Sequence, residues 1–279
     1  MLRILIDEVS YPEGPIASRN GLLFVEYTKD RVVLWDGSNR HDVWHEDGSG
    51  PTGVIEQPDS TLWVAAHDAN CLIRISKSGT EIDRIAADDT GVELGRPNDL
   101  VAASWGGFFV TAPGTFDRSN APTSRVLYYD KSHGIRSCAC NIAYSNGLVL
   151  TRDEGTLVVA EHLRNRLLAY DVQRDGTLNH KGVFSNFFEI APIDSPHRDL
   201  GPDGLAVDID GNIYVAHYGA GRIIVLAPEG MLRNILAVPM RFVTNVAIWH
   251  HRLIVTALAE DISPYRGAVY YCDVREALH

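Results

Sequence analysis

The sequence predicts an all-β fold, a six-bladed β-propeller with four-stranded antiparallel blades around a central channel. Three observations indicate it. A phrase made of an apolar strand, a Gly or Asp turn and a second apolar strand recurs six times along the 279 residues. Third apolar strands follow these pairs, and no long segment shows the 3.6-residue period of an amphipathic helix. Repeats of about 46 residues with three or four strands each are typical of propeller blades, so one propeller domain is predicted over residues 1–279.

Each repeat opens as a β-hairpin. The turn residues, such as Gly106-Gly107 and Asp210-Gly211, tolerate the positive φ that tight hairpins require. Asp208 and Asp210 are therefore assigned to turn chemistry rather than to a calcium loop. The N-terminal strand LRILID is expected to join the last blade and close the ring. The six hairpins are EGPIASRNGLLFVEY, TGVIEQPDSTLWVAAH, NDLVAASWGGFFVTA, NGLVLTRDEGTLVVAEH, DGLAVDIDGNIYVAHY and NVAIWHHRLIVTA.

Composition argues against several classes of partner. A net charge of −11 disfavours a nucleic-acid surface and docking on anionic lipid. No apolar run reaches the length of a membrane span, and the first residues lack a signal-peptide pattern. The four cysteines match no zinc spacing and are expected as free, buried thiols. These features predict a cytoplasmic protein, a monomer or small homo-oligomer, with no nucleic-acid or membrane partner.

One repeat position carries a short polar side chain almost throughout. Because inner strands line the channel of a propeller, their first residues should form a ring at one mouth. Asn and Asp are also common where a loop enters a strand, and that alternative explains one or two of them. Converging oxygens favour a hard divalent cation such as Ca²⁺, Mg²⁺ or Mn²⁺. The six positions are Glu13, Thr52, Asn98, Asn146, Asp203 and Asn245.

Five motifs support a family resemblance: EGP at Glu13, RPND at Arg96, SNGL around Asn146, GPDGLAVD around Asp203 and YVAHYGAGRI at Tyr214. With them the chain resembles, over nearly its whole length, the gluconolactonase, senescence-marker-protein and luciferin-regenerating-enzyme family of six-bladed propellers. The resemblance implies one divalent metal, held by Glu13, Asn98, Asn146 and Asp203. Ca²⁺ is the expected ion, with Mg²⁺, Mn²⁺, Zn²⁺ or Fe²⁺ as alternatives. It also implies that Arg96 and Asn98 contact the substrate.

The activity that the resemblance implies is hydrolysis of a small, often sugar-type, lactone. The metal would polarise the carbonyl, and Asp203, the expected catalytic residue, would activate or orient the attacking water. A metal-bound carboxylate is a weak base because its pKa is lowered. Orientation of water by Asp203, or activation of the nucleophile by the metal itself, therefore stays open. The expected partner is a small-molecule lactone, and no residues are assigned to an organic cofactor.

The second strand of each hairpin returns to the same mouth. Its last residues are therefore candidates for contacts with the metal site, and Glu161 and His217 are predicted to bind substrate; His162 and His67 are weaker candidates. Long segments on this face would add aromatic and imidazole side chains, with loop anchoring as the alternative role. These are Phe116, Phe187, Phe188, His197 and Tyr265.

Three other functions remain open at this stage. The same metal site could serve a different hydrolase, for example one acting on phosphotriesters or other esters. Related propellers, such as strictosidine synthase, carry out non-hydrolytic chemistry. Many propellers are binding scaffolds, although a scaffold needs no polar ring inside the channel mouth.

Overall fold

The computed structural model describes residues 1–118, 122–193 and 199–278, and His197 lies outside them. Within this part of the chain, 24 strands form six four-stranded antiparallel sheets. Inner strands of neighbouring sheets contact one another, as β2 (Pro12–Ser18) contacts both β6 (Pro51–Glu56) and β22 (Phe242–Trp249). The sheets are therefore blades arranged around a channel, which confirms the predicted six-bladed propeller.

Blades 1 to 3 each use four consecutive strands, numbered from the channel outward. Blade 1 contains β2 (Pro12–Ser18), β3 (Gly21–Glu26), β4 (Arg31–Trp35) and β5 (Arg40–His45). Blade 2 contains β6 (Pro51–Glu56), β7 (Leu62–Ala66), β8 (Cys71–Ile75) and β9 (Glu81–Ile85). Blade 3 contains β10 (Leu100–Ala102), β11 (Phe108–Ala112), β12 (Ser124–Asp130) and β13 (Gly134–Ile142).

Blades 4 and 5 follow the same order, and blade 6 takes its outer strand from the start of the chain. Blade 4 contains β14 (Ser145–Leu150), β15 (Thr156–Glu161), β16 (Arg166–Val172) and β17 (Leu178–Asn186). Blade 5 contains β18 (Gly201–Val207), β19 (Ile213–Tyr218), β20 (Arg222–Leu226) and β21 (Leu232–Ala237). Blade 6 contains β22 (Phe242–Trp249), β23 (Arg252–Leu258), β24 (Arg266–Asp273) and β1 (Arg3–Ser10). The short helices are 3₁₀ at Tyr27–Lys29 and His162–Arg164, α1 (Phe187–Ile190) and α2 (Val274–Ala277).

The hydrophobic core lies between adjacent blades. Middle strands are buried on both faces, as in β20, because each blade packs against two neighbours. Trp63 and Phe108, from blades 2 and 3, have ring centroids 5.5 Å apart. Outer strands such as β9 are mostly exposed. Packing between blades thus leaves the inner strands free to line the channel with their first residues.

Asp208 organises the hairpin turn of blade 5. Its carboxylate is buried and accepts bonds from the backbone N–H groups of Asp210 (2.9 Å) and Asn212 (2.8 Å) and from the Tyr214 hydroxyl (2.9 Å). Gly211 follows with φ +85°. The assignment of Asp208 to turn chemistry is confirmed, since its oxygens are already used by this turn.

The N-terminal strand closes the ring, as expected from its sequence. β1 pairs antiparallel with β24, and its Ile6 and Val9 side chains are buried in the core. The four cysteines are free thiols, with Cys71 and Cys272 buried, whereas Cys140 is exposed and the expectation of burial is wrong for it. Among the described residues, the helices are all too short or too polar to cross a membrane.

Candidate metal centre and substrate pocket

Most of the predicted ring lines one cavity at a channel mouth. The cavity has a volume of about 300 Å³. Asn245 is the exception, because it lies with Asp99 on a second cavity that opens from the opposite end of the channel. The five ring residues that meet in the first cavity are Glu13, Thr52, Asn98, Asn146 and Asp203.

Two buried carboxylates and two amides of this ring come from four different blades. Glu13, Asn146 and Asp203 are 9%, 7% and 6% exposed, and Asn98 is half-buried. Asn146 hydrogen bonds to the Asp203 carboxylate, and the Gly14 N–H donates to Glu13 Oε2 at 3.2 Å. Of the described residues that line the cavity, none is Lys or Arg.

The electrostatics of the carboxylates fit a bound cation. Burial, with repulsion from Asp99, raises the pKa of Glu13 to about 8. Burial, with the charges of Glu13 and Asp99, also holds the pKa of Asp203 well above its usual range. Such groups are costly to ionise without a counter-charge, and a divalent ion would supply it. The donors are all oxygens, which suits a hard cation such as Ca²⁺.

The two remaining ring positions have structural partners. Thr52 Oγ1 donates to the Asn98 carbonyl at 2.9 Å and so ties blade 2 to blade 3. The Asn245 amide hydrogen bonds to both Glu13 and Asp99. Within the described residues no group of three or more His, Cys, Asp or Glu is placed to hold a metal. The candidate metal site therefore needs the amide oxygens of Asn98 and Asn146 in addition to its two carboxylates.

A left-handed residue stands two positions ahead of several ring residues. Tyr11, Arg96 and Tyr144 have φ of +47°, +57° and +62°, and Gly50 occupies the equivalent place in blade 2 with φ +50°. This conformation is uncommon for side-chain-bearing residues and clusters at functional sites. Tyr11 and Tyr144 line the cavity. In blades 1 and 4, this repeated backbone feature therefore carries a side chain of the pocket wall.

Arg96, the predicted substrate contact, lies outside the cavity wall. Its guanidinium is paired with Asp68 at 3.1 Å, and both side chains are substantially exposed. The Tyr27 hydroxyl, whose residue does line the cavity, donates to the same carboxylate at 2.8 Å. Arg96 therefore lies at the rim, and Asp68 connects its guanidinium to Tyr27 of the cavity lining.

Aromatic and imidazole rings from one repeat position complete the wall. Each of them follows, by one residue, the repeat position that Glu161 and His217 occupy in their own blades. Phe116 joins them from its loop, with ring centroids 5.0 Å from Tyr144 and 6.0 Å from His162. His162 in turn lies 6.0 Å from Tyr218. The four ring-bearing positions are Tyr27, His67, His162 and Tyr218.

Glu161 and His217, predicted as substrate contacts, are absent from the described lining of this cavity. Glu161 is ion-paired with Arg166 and accepts the Ala143 N–H at 2.9 Å. His217 accepts from Arg222 Nε at 3.1 Å. Successive side chains of a strand point to opposite sides, so the neighbouring residue faces the cavity instead. The sequence signal for the cavity-facing position is the aromatic or imidazole ring that His162, Tyr218 and their equivalents in other blades share.

The loop aromatics divide between the two expected roles. Phe116 lines the cavity, whereas Phe187 is fully buried, with its ring 5.5 Å from that of His217, and anchors its loop. Phe188 is 63% exposed. Tyr265 contacts the Tyr11 ring at 5.6 Å, behind the pocket wall.

Comparisons with known proteins agree with this architecture. Residues 11–259 match the SMP-30/Gluconolactonase/LRE-like region. A 6-deoxy-6-sulfogluconolactonase of Pseudomonas putida is 29% identical over 236 residues, covering 78% of this chain and 75% of that protein. Lactonase drp35 of Staphylococcus epidermidis is 32% identical over 157 residues, or 56% of this chain, and the match spans less than half (45%) of that protein.

The fold is shared with solved structures at lower identity. A calcium-binding protein, regucalcin, from Agrobacterium tumefaciens superposes with a TM-score of 0.80 at 18% identity, covering 97% of this chain and 92% of that one. The family match extends through all five motifs that carried the resemblance in the sequence. The chain therefore belongs to the SMP-30/gluconolactonase/LRE-like family of propellers.

Proposed function

We propose that this protein is a metal-dependent hydrolase that opens a small lactone at the channel mouth. The observation that carries the proposal is the meeting of Glu13, Asn98, Asn146 and Asp203 in one cavity, with no Lys or Arg among its described lining. The relatives named as lactonases support the reaction class. A binding scaffold has no need for two buried carboxylates beside two amides.

The four ring residues would hold one divalent ion, and we propose Ca²⁺ because all donors are carboxylate or amide oxygens. The structural relative described as a calcium-binding protein has the same fold, which supports this choice. When bound, the ion would act as a Lewis acid toward the lactone carbonyl.

The chain's own residues would bind and orient the reactants. Asn146 hydrogen bonds to Asp203 and so fixes the orientation of that carboxylate, whose free lone pairs can accept a hydrogen bond from the attacking water. Asn98 is the most exposed of the four ligands, so its amide is the one best placed to meet the substrate as well. Tyr11, Tyr144 and Phe116 would cover the lactone ring and restrict access of bulk water.

The proposed activity is tested by pH-monitored hydrolysis of γ- and δ-lactones. Purified protein would be assayed as isolated, after a chelator, and after Ca²⁺, Mg²⁺, Mn²⁺ or Zn²⁺ is added back. We expect turnover that is lost on chelation and restored by at least one ion. A metal-loaded protein that leaves every lactone intact, or that hydrolyses only phosphotriesters in a parallel panel, would refute the lactonase proposal.

The ligand assignment is tested separately by metal occupancy. Asn98→Ala and Asp203→Ala should each reduce bound metal sharply, measured by elemental analysis after gel filtration. Asn20→Ala is the matched control, because this exposed asparagine lies in the turn after β2, at the opposite end of that strand from Glu13. Full occupancy in both Asn98→Ala and Asp203→Ala would contradict the assignment.

A further inference from the structure

Two hairpins on opposite sides of the channel share a sequence pattern. It reads EYTKDR from Glu26 in blade 1 and EHLRNR from Glu161 in blade 4. In both, the glutamate ends the second strand, a ring-bearing residue begins a single 3₁₀ turn, and an Arg begins the third strand. Blades 1 and 4 face each other in a six-bladed ring, so the pattern is repeated across the pocket.

The two glutamate carboxylates have equivalent partners. Glu26 Oε1 accepts the Ser10 N–H at 2.7 Å, and Glu161 Oε1 accepts the Ala143 N–H at 2.9 Å. The other oxygen of each carboxylate is ion-paired with the Arg that ends its own motif. Both glutamates are buried, at 1% and 2% exposed, and neither is in the described lining of the cavity. They can therefore act on the pocket only through other residues.

The N–H groups that these carboxylates accept lie directly before the left-handed wall residues Tyr11 and Tyr144. The carbonyls of these tyrosines accept the N–H groups of Tyr27 and His162, each at 3.0 Å. All four side chains line the cavity, and the ring centroids are 5.2 Å apart in blade 1 and 5.9 Å apart in blade 4. Each motif thus fixes a tyrosine and the ring beside it as one wall of the pocket.

Two further blades show where such an acceptor is present. In blade 3 the left-handed residue is Arg96, and the N–H before it, that of Gly95, donates to the Asn70 side chain at 3.0 Å. In blade 2 it is Gly50, and the N–H of Ser49 donates to a backbone carbonyl. A left-handed conformation is unfavourable for residues with a Cβ but costs glycine little. The side-chain acceptor therefore accompanies the strained backbone.

We propose that Glu26 and Glu161 are positioning residues, which hold Tyr11 and Tyr144 in the left-handed conformation that builds two facing walls of the pocket. The effect on a lactone lying between these walls rests on the proposed function. A buried N–H without an acceptor is costly, and strained backbone persists only where its surroundings hold it. Loss of either carboxylate would therefore move a wall although no residue of the cavity lining is replaced.

Amide hydrogen exchange tests this positioning without a substrate. In Glu161→Ala, the N–H of Ala143 and the His162 N–H that Tyr144 accepts should exchange about 10-fold faster or more. Glu161→Gln, whose amide oxygen can still accept, should exchange nearly as the unmodified protein does. Both variants lose the ion pair with Arg166, so their difference isolates the hydrogen bond. Unchanged protection of Ala143 in Glu161→Ala would overturn the proposal, whether or not the protein opens a lactone.

Two controls separate positioning from general destabilisation. The equivalent N–H groups of blade 1, on Ser10 and Tyr27, should exchange at the same rate in every Glu161 variant. Asp88→Ala removes another buried carboxylate that accepts backbone N–H groups and is ion-paired with an Arg, but that lies outside the described cavity lining. It should leave the exchange of Ala143 unchanged. Faster exchange of Ala143 in Asp88→Ala as well would contradict a specific role for Glu161.

The effect on the substrate is measured by steady-state hydrolysis of the lactone that is opened fastest. Glu161→Ala should raise KM about 10-fold with little change in kcat, because a wall binds ground and transition states alike, whereas Glu161→Gln should raise it less than about 3-fold. If Glu161 acts through Tyr144, the Glu161→Ala/Tyr144→Ala double variant should have the KM of Tyr144→Ala alone. Additive effects, or a fall in kcat with KM unchanged, would overturn the proposal. A protein that opens no lactone fails the proposed function, but hydrogen exchange still decides the role of Glu161.

Discussion

Ionisation of Glu13 and Asp203 is energetically unfavourable in the folded protein. Both carboxyls are nearly inaccessible to solvent, and burial together with the neighbouring acids raises the pKa of each. Asp99, behind them, has a pKa raised to about 7 by burial. Three acids in one channel stabilise the fold when protonated and destabilise it when ionised, unless a cation is bound.

This arrangement predicts an unusual pH dependence for the metal-free protein. A carboxyl with a raised pKa binds more protons folded than unfolded, so ionisation at higher pH destabilises the folded state. For Glu13 the window runs from its ordinary value of 4.5 up to about 8. The buried His162 and His217, with lowered pKa values, act oppositely, but only below their ordinary 6.5. We therefore expect stability in chelator to fall from pH 6.5 to pH 8, measured by urea unfolding.

Two controls accompany this measurement. Saturating Ca²⁺ should remove the decline, since the ion replaces the protons as counter-charge. Glu13→Gln should reduce the slope in chelator, because one of the titrating groups is gone. A chelated protein that is more stable at pH 8 than at pH 6.5 would show that these carboxyls are ionised at little cost in the folded state.

At the scale of elements, the alternation of side chains along a strand decides which residues reach the site. The repeat predicts that each second strand ends at the cavity mouth, but the predicted contacts Glu161 and His217 do not line the cavity, whereas His162 and Tyr218 do. A single sequence does not show which of two adjacent residues faces inward when both are polar. The choice depends on the strand's register, and Glu161 pairs across the sheet with Arg166.

Glycines directly after the ring residues let the inner strands approach one another. A Cβ on Gly147 would lie 2.2 Å from the Asp203 carbonyl oxygen, and one on Gly204 would lie 2.0 Å from the Asn245 side chain. Gly14 and Gly53 are similarly tight. The inner strands thus pack backbone against backbone, which draws the proposed ligands of different blades together.

Gly147→Ala should therefore weaken the proposed metal site although it replaces none of the proposed ligands. The new methyl group cannot fit unless the Asp203 backbone moves, so we expect a loss of about 1–3 kcal/mol in stability and weaker Ca²⁺ binding. Calorimetric titration and thermal unfolding measure the two effects. Gly155→Ala, in the same blade but with its nearest neighbour at 3.4 Å, is the matched control and should bind normally. If the two variants behave alike, the inner strands can accommodate a methyl group at position 147.

At the scale of the molecule, the propeller is closed by β1, which comes from the opposite end of the chain to β24. Its Ile6 and Val9 side chains are buried between blades 6 and 1, with the packing cluster that includes Phe24. The exposed Arg3–Glu276 ion pair at the same seam is weakly stabilising at most, as surface pairs generally are. Closure depends on strand pairing and apolar burial.

Removal of residues 1–10 should consequently open the ring. Burial of Ile6 and Val9 alone contributes roughly 3–6 kcal/mol, and the deletion also leaves β24 as an unpaired edge. We expect a much lower melting temperature and self-association on size-exclusion chromatography. Glu276→Gln, which breaks the exposed ion pairs of Glu276 with Arg3 and with the N-terminal ammonium group, should leave the melting temperature nearly unchanged. A truncated chain that melts with the full-length protein would contradict closure by β1.

The repeat made the global fold predictable, because six similar hairpins leave few alternatives to a ring of blades. The ring of short polar residues was likewise visible, and five of its six positions meet in one cavity. Asn245 could not be separated from the others by sequence, since its side chain is directed by a bond to Asp99 on another blade. Arg96 and Asp68 are 28 residues apart, and their pairing depends on how two blades meet.

The left-handed backbone at Tyr11 and Tyr144 has an evolutionary consequence. Both residues line the pocket, yet each stands one residue clear of a proposed metal ligand, and blade 2 already carries glycine at the equivalent point. Exchange of a wall residue for glycine would relieve backbone strain while it enlarges the pocket. The pocket can thus be widened by a single substitution that replaces no proposed metal ligand, at a cost in lost packing that the relief of strain offsets only in part.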